Sequence, residues 1–106
     1  MSYDVSLYIN TGGESEAEVF WRNMTSNVAP MWRKAGADLA DFAGKKASEC
    51  VADLQAAIRA MEADPDTYRA MNPENGWGDY DGCLDFLKSI RDACATHPAC
   101  EVHISR

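Results

Sequence analysis

The sequence is short of basic residues. Its 106 residues include 10 Lys and Arg against 17 Asp and Glu, which gives a net charge of −7. A protein that binds the phosphate backbone of DNA or RNA releases counterions through clustered cations, so this balance argues against such a partner. We therefore do not expect direct binding to nucleic acid.

Long apolar runs and a secretion leader are also missing. No stretch approaches the roughly 18 consecutive apolar residues that a membrane span requires. The opening Met1-Ser2-Tyr3-Asp4 has neither the basic nor the apolar region of a signal peptide. We therefore expect a cytoplasmic protein with no membrane partner, and the length predicts a single domain over residues 1–106.

Metal-binding patterns are few. The spacing of Cys94, His97, Cys100 and His103 first suggests a zinc site of two thiolates and two imidazoles. Residues three apart on a strand point to opposite faces, so Cys100 and His103 are not expected to share an ion. Without a secretion signal the cysteines are expected to be reduced. The sequence predicts no metal and no cofactor.

Catalytic patterns are equally scarce. The candidate for a cysteine nucleophile is Cys83, near a predicted helix start, and it needs a base. His103 could serve only through a tertiary contact that the sequence does not show. His97 lies further along the same predicted helix, about 21 Å away at 1.5 Å per residue, which is too far for proton transfer. A glycine-rich phosphate loop and a nucleophile elbow are both missing from the sequence. We predict that the protein is not an enzyme.

Alternating apolar and polar residues are present, and they predict three strands. The first covers residues 3 to 9, where Tyr3 to Ile9 alternate with polar neighbours. Thr11-Gly12-Gly13 then breaks the chain, and the alternation over residues 17 to 22 predicts a strand that pairs back as a hairpin. Alternation over residues 100 to 104 predicts a strand at the C-terminal end.

Helical periodicity fills the middle of the sequence. A short helix is predicted over residues 27 to 36, a long one from Gly44 to Pro65, a short one up to Pro73 and a last long one that ends before Pro98. The predicted fold class is α+β, in which a small, mainly antiparallel sheet of the N-terminal hairpin and the C-terminal strand packs against three or four helices. The predicted core includes Leu54, Ile58, Leu84, Leu87 and Ile90.

Two polar loops contain the candidate functional residues, one over residues 23 to 27 and one over residues 72 to 82. Each precedes a predicted helix. Asparagine amides can pair with the edge of a base, and Trp or Tyr rings can stack on its face. We therefore predict that the loops converge on one pocket for a small polar or nucleotide-like ligand. Its predicted binding residues are Asn23, Thr25, Asn27, Trp32, Asn72, Asn75, Trp77 and Tyr80.

A purely structural interpretation of these loops stays open. Thr25 and Asn27 are ordinary helix caps, and Asn75-Gly76 is an ordinary turn pair. Trp77 can equally plug the open end of a core. The two interpretations differ in where they place Trp77: exposed in a pocket, or buried.

Three motifs together resemble a family of small uncharacterised bacteriophage and prophage proteins that is common in actinobacterial phages. The motifs are Asn23-x-Thr25-x-Asn27-x-x-Pro30, Gly44-Lys45-Lys46-Ala47-x-Glu49 and Asn72-Pro73-x-Asn75-Gly76-Trp77-Gly78-x-Tyr80. The resemblance implies a phage-type protein that acts inside the host cell by binding something, in order to counter a host defence or redirect a host process. It brings no established activity with it.

Two functions remain from different classes. In the first, a non-enzymatic binding protein sequesters a small polar or nucleotide-like ligand in the pocket of the two loops. In the alternative, the acidic surface docks on a host protein and inhibits or redirects it. The sequence leaves open whether the chain forms a homo-oligomer.

Overall fold

The computed structural model describes residues 1–10 and 16–106 and contains three strands and four α-helices in that part of the chain. The strands are β1 (Ser2–Asn10), β2 (Glu16–Thr25) and β3 (Glu101–Ser105). The helices are α1 (Ala29–Lys34), α2 (Ala47–Ala63), α3 (Pro65–Arg69) and α4 (Tyr80–Thr96). The turn predicted at Thr11-Gly12-Gly13 lies outside the described residues.

The strands form one antiparallel sheet with the order β2-β1-β3. The central strand β1 pairs with β2 as a hairpin, and Leu7 stands opposite Phe20 on one side and Val102 on the other. The pairing between β1 and β2 shifts by one residue between Leu7 and Tyr8, which marks a bulge. The predicted hairpin and C-terminal strand are thereby confirmed, and the fold is α+β.

One face of the sheet packs against the helices. Tyr3, Val5 and Leu7 are all at most 2% exposed on that face. On β2 the alternation does not itself say which series faces inward. The register pairs Leu7 with Phe20, so Phe20 packs against the core while Trp21 points outward and is 56% exposed.

The long helices α2 and α4 pack on each other and supply nearly half of the buried apolar residues. Leu54 and Ile58 on α2, and Leu87 and Ile90 on α4, are almost completely buried, as predicted, whereas Leu84 is only partly buried at the edge of the core. The helix boundaries follow the predicted signals: Gly36, with φ of +101°, follows α1, and Pro65 begins α3 directly after α2. No helix in the described ranges is long and apolar enough to cross a membrane.

One element has no counterpart in the sequence analysis, a 3-10 turn over Leu39–Phe42. It begins where the Asp38 carboxylate accepts a hydrogen bond from the Ala40 N–H at 3.3 Å. Leu39 and Phe42 are both buried. Two apolar residues are too few to establish a helical period, so hydrophobic patterning could not reveal this turn.

All four cysteines are buried and free. Burial raises the pKa of the Cys83 thiol to about 12, and the neighbouring Asp79 carboxylate acts in the same direction. Burial likewise raises the pKa of Cys94 to about 12, with added contributions from Cys50 and Cys100. Cys100 points into the core, whereas His103 lies on the open face of the sheet, where it stacks on Tyr8 at 4.4 Å between ring centroids.

We expect the thiols to be inert in the folded protein. A pKa of about 12 instead of 9.0 leaves Cys83 and Cys94 with roughly a thousandfold less thiolate near neutral pH, and the thiolate is the species that reacts. Alkylation with iodoacetamide, followed by mass spectrometry, should modify almost no cysteine in the native state and all four in denaturant. Native-state modification at the rate of free cysteine, or fewer than four reactive thiols after denaturation, would contradict this assignment.

Candidate functional site

The two polar loops meet at a cleft with a volume of about 620 Å³. Its wall is formed by the first residues of β1, the end of β2 with the turn that follows, and the loop before α4. The lining residues are Met1, Ser2, Asn23, Thr25, Asn27, Asn75 and Trp77. Five of the predicted ligand-binding residues therefore share one cleft. Its volume lies within the range of roughly 300–1,000 Å³ that is usual for small-molecule sites.

The first loop is held by the hairpin. The Asn23 amide donates to the Asp4 carboxylate at 2.8 Å across the two strands. Thr25 caps the turn that follows by accepting from the Asn27 N–H at 3.4 Å. The Ser26 N–H donates to the Met1 carbonyl at 3.1 Å, which ties this turn to the start of β1.

The second loop presents Trp77 to solvent. Gly76 and Gly78 flank it with φ of +76° and +92°, values that favour glycine. The Asn75 side chain accepts from the Trp77 N–H at 2.9 Å and so fixes the turn. The indole is 69% exposed, so Trp77 does not plug the core.

Gly78 joins the two loops. A Cβ atom at this position would lie 2.7 Å from Cγ2 of Thr25 and 2.8 Å from Cγ1 of Val28. Real Cβ atoms essentially never approach carbon so closely. Only a residue without a side chain lets the backbone of the second loop pack directly on Thr25 and Val28.

Several polar atoms in the cleft remain able to bind a ligand. The Asn23 side chain uses its nitrogen on Asp4 and keeps its oxygen as an acceptor, whereas Asn75 uses its oxygen and keeps its nitrogen as a donor. Asn27 is exposed, and its side chain makes no hydrogen bond within the described residues. The lining side chains carry no charge, so the cleft suits a neutral polar group beside an aromatic ring.

Trp32 was predicted to bind ligand, but the structure does not place it among the residues that line the cleft. The residue is fully buried on α1, with its ring edge-on to Tyr3 at 4.9 Å and tilted against Phe86 at 5.9 Å. Its indole N–H has no acceptor among the described residues. Trp32 therefore packs the sheet against α4 and does not reach the cleft. Aromatic rings stabilise such contacts mainly through the area that they bury.

Asn72 and Tyr80 are also absent from the residues that line the cleft, and both make hydrogen bonds within the protein. The Asn72 side chain accepts from the Tyr80 N–H at 2.8 Å and so closes the second loop. Tyr80 is 4% exposed, and its hydroxyl donates to the Met61 carbonyl at 2.9 Å. Burial raises the pKa of this phenol. The residue types predict specific polar contacts for both side chains, but they do not tell whether the partner belongs to the protein or to a ligand.

Met1 and Ser2 line the cleft and were missed by the sequence analysis. Ser2 pairs with Thr25 at the open end of the hairpin, directly beside the first loop. No register was predicted for the hairpin, and the predicted strands, residues 3 to 9 and 17 to 22, stop short of both Ser2 and Thr25. The place of Ser2 in the cleft follows from the strand pairing, not from the chemistry of its side chain.

Comparison of the chain with known protein families, with characterised proteins and with solved structures found no match. The described residues also contain no group of three or more His, Cys, Asp and Glu side chains arranged to hold a metal ion. The resemblance to phage proteins thus stays a prediction. The function has to be inferred from the geometry of the cleft.

We expect Gly78→Ala to lower the free energy of unfolding more than Gly76→Ala in the same turn. Gly76→Ala meets no atom within 4 Å and costs only the left-handed conformation, about 1–2 kcal/mol. Gly78→Ala adds the clash with Thr25 and Val28, worth about 1–3 kcal/mol more. Denaturant unfolding of the two variants measures this difference. Equal losses of unfolding free energy would contradict the close packing of the loops.

Proposed function

We propose that the protein is a non-enzymatic binding protein whose cleft sequesters a small ligand with a planar polar ring, such as a nucleoside or nucleotide. The convergence of Asn23, Asn27, Asn75 and an exposed Trp77 on one cleft supports this proposal most directly. These side chains recognise ligands by hydrogen bonding and stacking. None of them is a nucleophile or an acid–base group that titrates near neutral pH.

The exposure of Trp77 is the observation that favours binding over a structural role. A large aromatic side chain that is 69% exposed contributes little to the core and would ordinarily be replaceable. Here two positive-φ glycines and a hydrogen bond from the Trp77 N–H to the Asn75 side chain fix the backbone that carries it. Stacking of a base on such a ring contributes about 1–3 kcal/mol.

The neighbouring amides add directional hydrogen bonds to the stacking interaction. Asn23 offers an acceptor and Asn75 a donor, while Asn27 offers both through its exposed side chain. A heterocyclic base carries donors and acceptors along one edge, which an amide can pair with bidentately. The cleft thus matches a ring with polar edges better than an aliphatic molecule. A phage setting and a role against host defence rest on the sequence resemblance and belong to the same proposal.

Titration with adenosine, guanosine, cytidine and uridine by isothermal calorimetry tests this function. At least one nucleoside should bind saturably, and Trp77→Ala should weaken that affinity by about one to two orders of magnitude, the equivalent of lost stacking. The melting temperature should hardly change, because Trp77 is mostly exposed.

Trp21→Ala is the matched control, since this indole is also exposed but lies outside the cleft on the open face of the sheet. It should leave nucleoside affinity unchanged. Failure of all four nucleosides to bind at millimolar concentration would contradict the proposal. Equal loss of affinity in the Trp21 and Trp77 variants would also contradict it, because binding would then not depend on the cleft.

A further inference from the structure

A second cavity, with a volume of about 330 Å³, lies next to the cleft and shares Met1 and Ser2 with it. Three elements bring its other residues together. Tyr3 comes from β1, Ala29 and Arg33 come from one side of α1, and Arg106 directly follows β3. Ser26 completes the lining from the turn before α1.

Two guanidinium groups converge on one oxygen atom in this cavity. Arg33 Nη2 donates to the Tyr3 hydroxyl at 2.9 Å, and Arg106 Nη1 donates to the same oxygen at 3.4 Å. The guanidinium of Arg106 also lies 5.9 Å from the centre of the Tyr3 ring. Two like charges are therefore held beside each other in a protein whose net charge is −7.

The side chains of Arg33, Arg106 and Tyr3 offer more hydrogen-bond donors than acceptors. Arginine has no acceptor, so the Tyr3 oxygen is the acceptor in both contacts and its own hydrogen remains available to donate. Among the described residues, Arg33 forms an ion pair with Asp38, whose oxygen is 3.8 Å from Arg33 Nε. Both side chains of that pair are at least 40% exposed, so the pair is weak.

We propose that this cavity binds an oxyanion of the phosphate type, held by Arg33, Arg106 and the Tyr3 hydroxyl. Paired guanidinium forks match the geometry and charge of a phosphate group, and a bound dianion would relieve the repulsion between them. The cavity is large enough for phosphate or for a small phosphate monoester. This site goes beyond the proposed function of the cleft and does not depend on it.

Titration with inorganic phosphate at constant ionic strength, followed through the arginine Nε–H signals in a ¹H–¹⁵N NMR spectrum, tests the proposal. The Arg33 and Arg106 signals should shift saturably, and Arg33→Gln should weaken binding at least tenfold, as expected for loss of a hydrogen bond to a charged group. Tyr3→Phe keeps the buried ring and should weaken binding through loss of the hydroxyl alone. Acetate should bind more weakly than phosphate, because it carries one charge.

Arg59→Gln on the exposed side of α2 is the matched control, since it changes the net charge by the same amount. It should leave phosphate affinity unchanged, as should Trp77→Ala, which separates this site from the cleft. The proposal is overturned if phosphate causes no saturable shift below about 50 mM, well above the millimolar dissociation constants of weak binding. It is also overturned if Arg59→Gln weakens binding as much as Arg33→Gln, or if acetate binds as tightly as phosphate.

Discussion

The contact of Gly78 with Thr25 and Val28 is the constraint on which the candidate site depends. The two loops are far apart in the sequence and belong to different elements, the end of β2 and the start of α4. The Gly78 backbone packs directly on the side chains of Thr25 and Val28, which brings the two loops together. Trp77, one residue earlier, lines the cleft and is largely exposed.

The start of the chain, Met1 and Ser2, is the second feature on which the site depends. Met1 and Ser2 line both cavities, and the Met1 carbonyl accepts from the backbone and side chain of Ser26 at 3.1 and 3.0 Å. Uncharged amides and an indole line one cavity, and two guanidinium groups line the other. The site proposed for a planar ring and the site proposed for an anion thus lie on either side of one strand end.

The sequence predicted the elements well because its signals are local. Alternation in β1, the apolar stripe of α2 and the proline and glycine boundaries of the helices need no knowledge of the tertiary structure. The inward face of β2 was not predictable in this way, since it depends on the register that pairs Phe20 with Leu7. Local sequence signals give the type and the bounds of an element, whereas the face that it buries depends on its tertiary contacts.

The predicted site residues show the same difference between local signals and tertiary contacts. Asn75 and Trp77 were found because glycines and an asparagine mark an exposed turn. Trp32 and Tyr80 were assigned to the pocket on residue type alone, and both proved to be core residues with partners inside the protein. The Arg33 and Arg106 pair escaped notice because Tyr3, the residue that joins them, lies 30 and 103 positions away in the sequence.

The proposed function requires Trp77 and the asparagines around it to form one binding site. A ¹H–¹⁵N NMR spectrum resolves the indole N–H of each tryptophan and the side-chain amide of each asparagine, so a single titration with the tightest-binding nucleoside reports on all of them. We expect saturable shifts for Trp77, Asn23, Asn27 and Asn75 with one shared dissociation constant, and none for Trp21 on the open face of the sheet. Shifts centred on Trp21, or shifts of the four cleft residues with different dissociation constants, would contradict the proposed function.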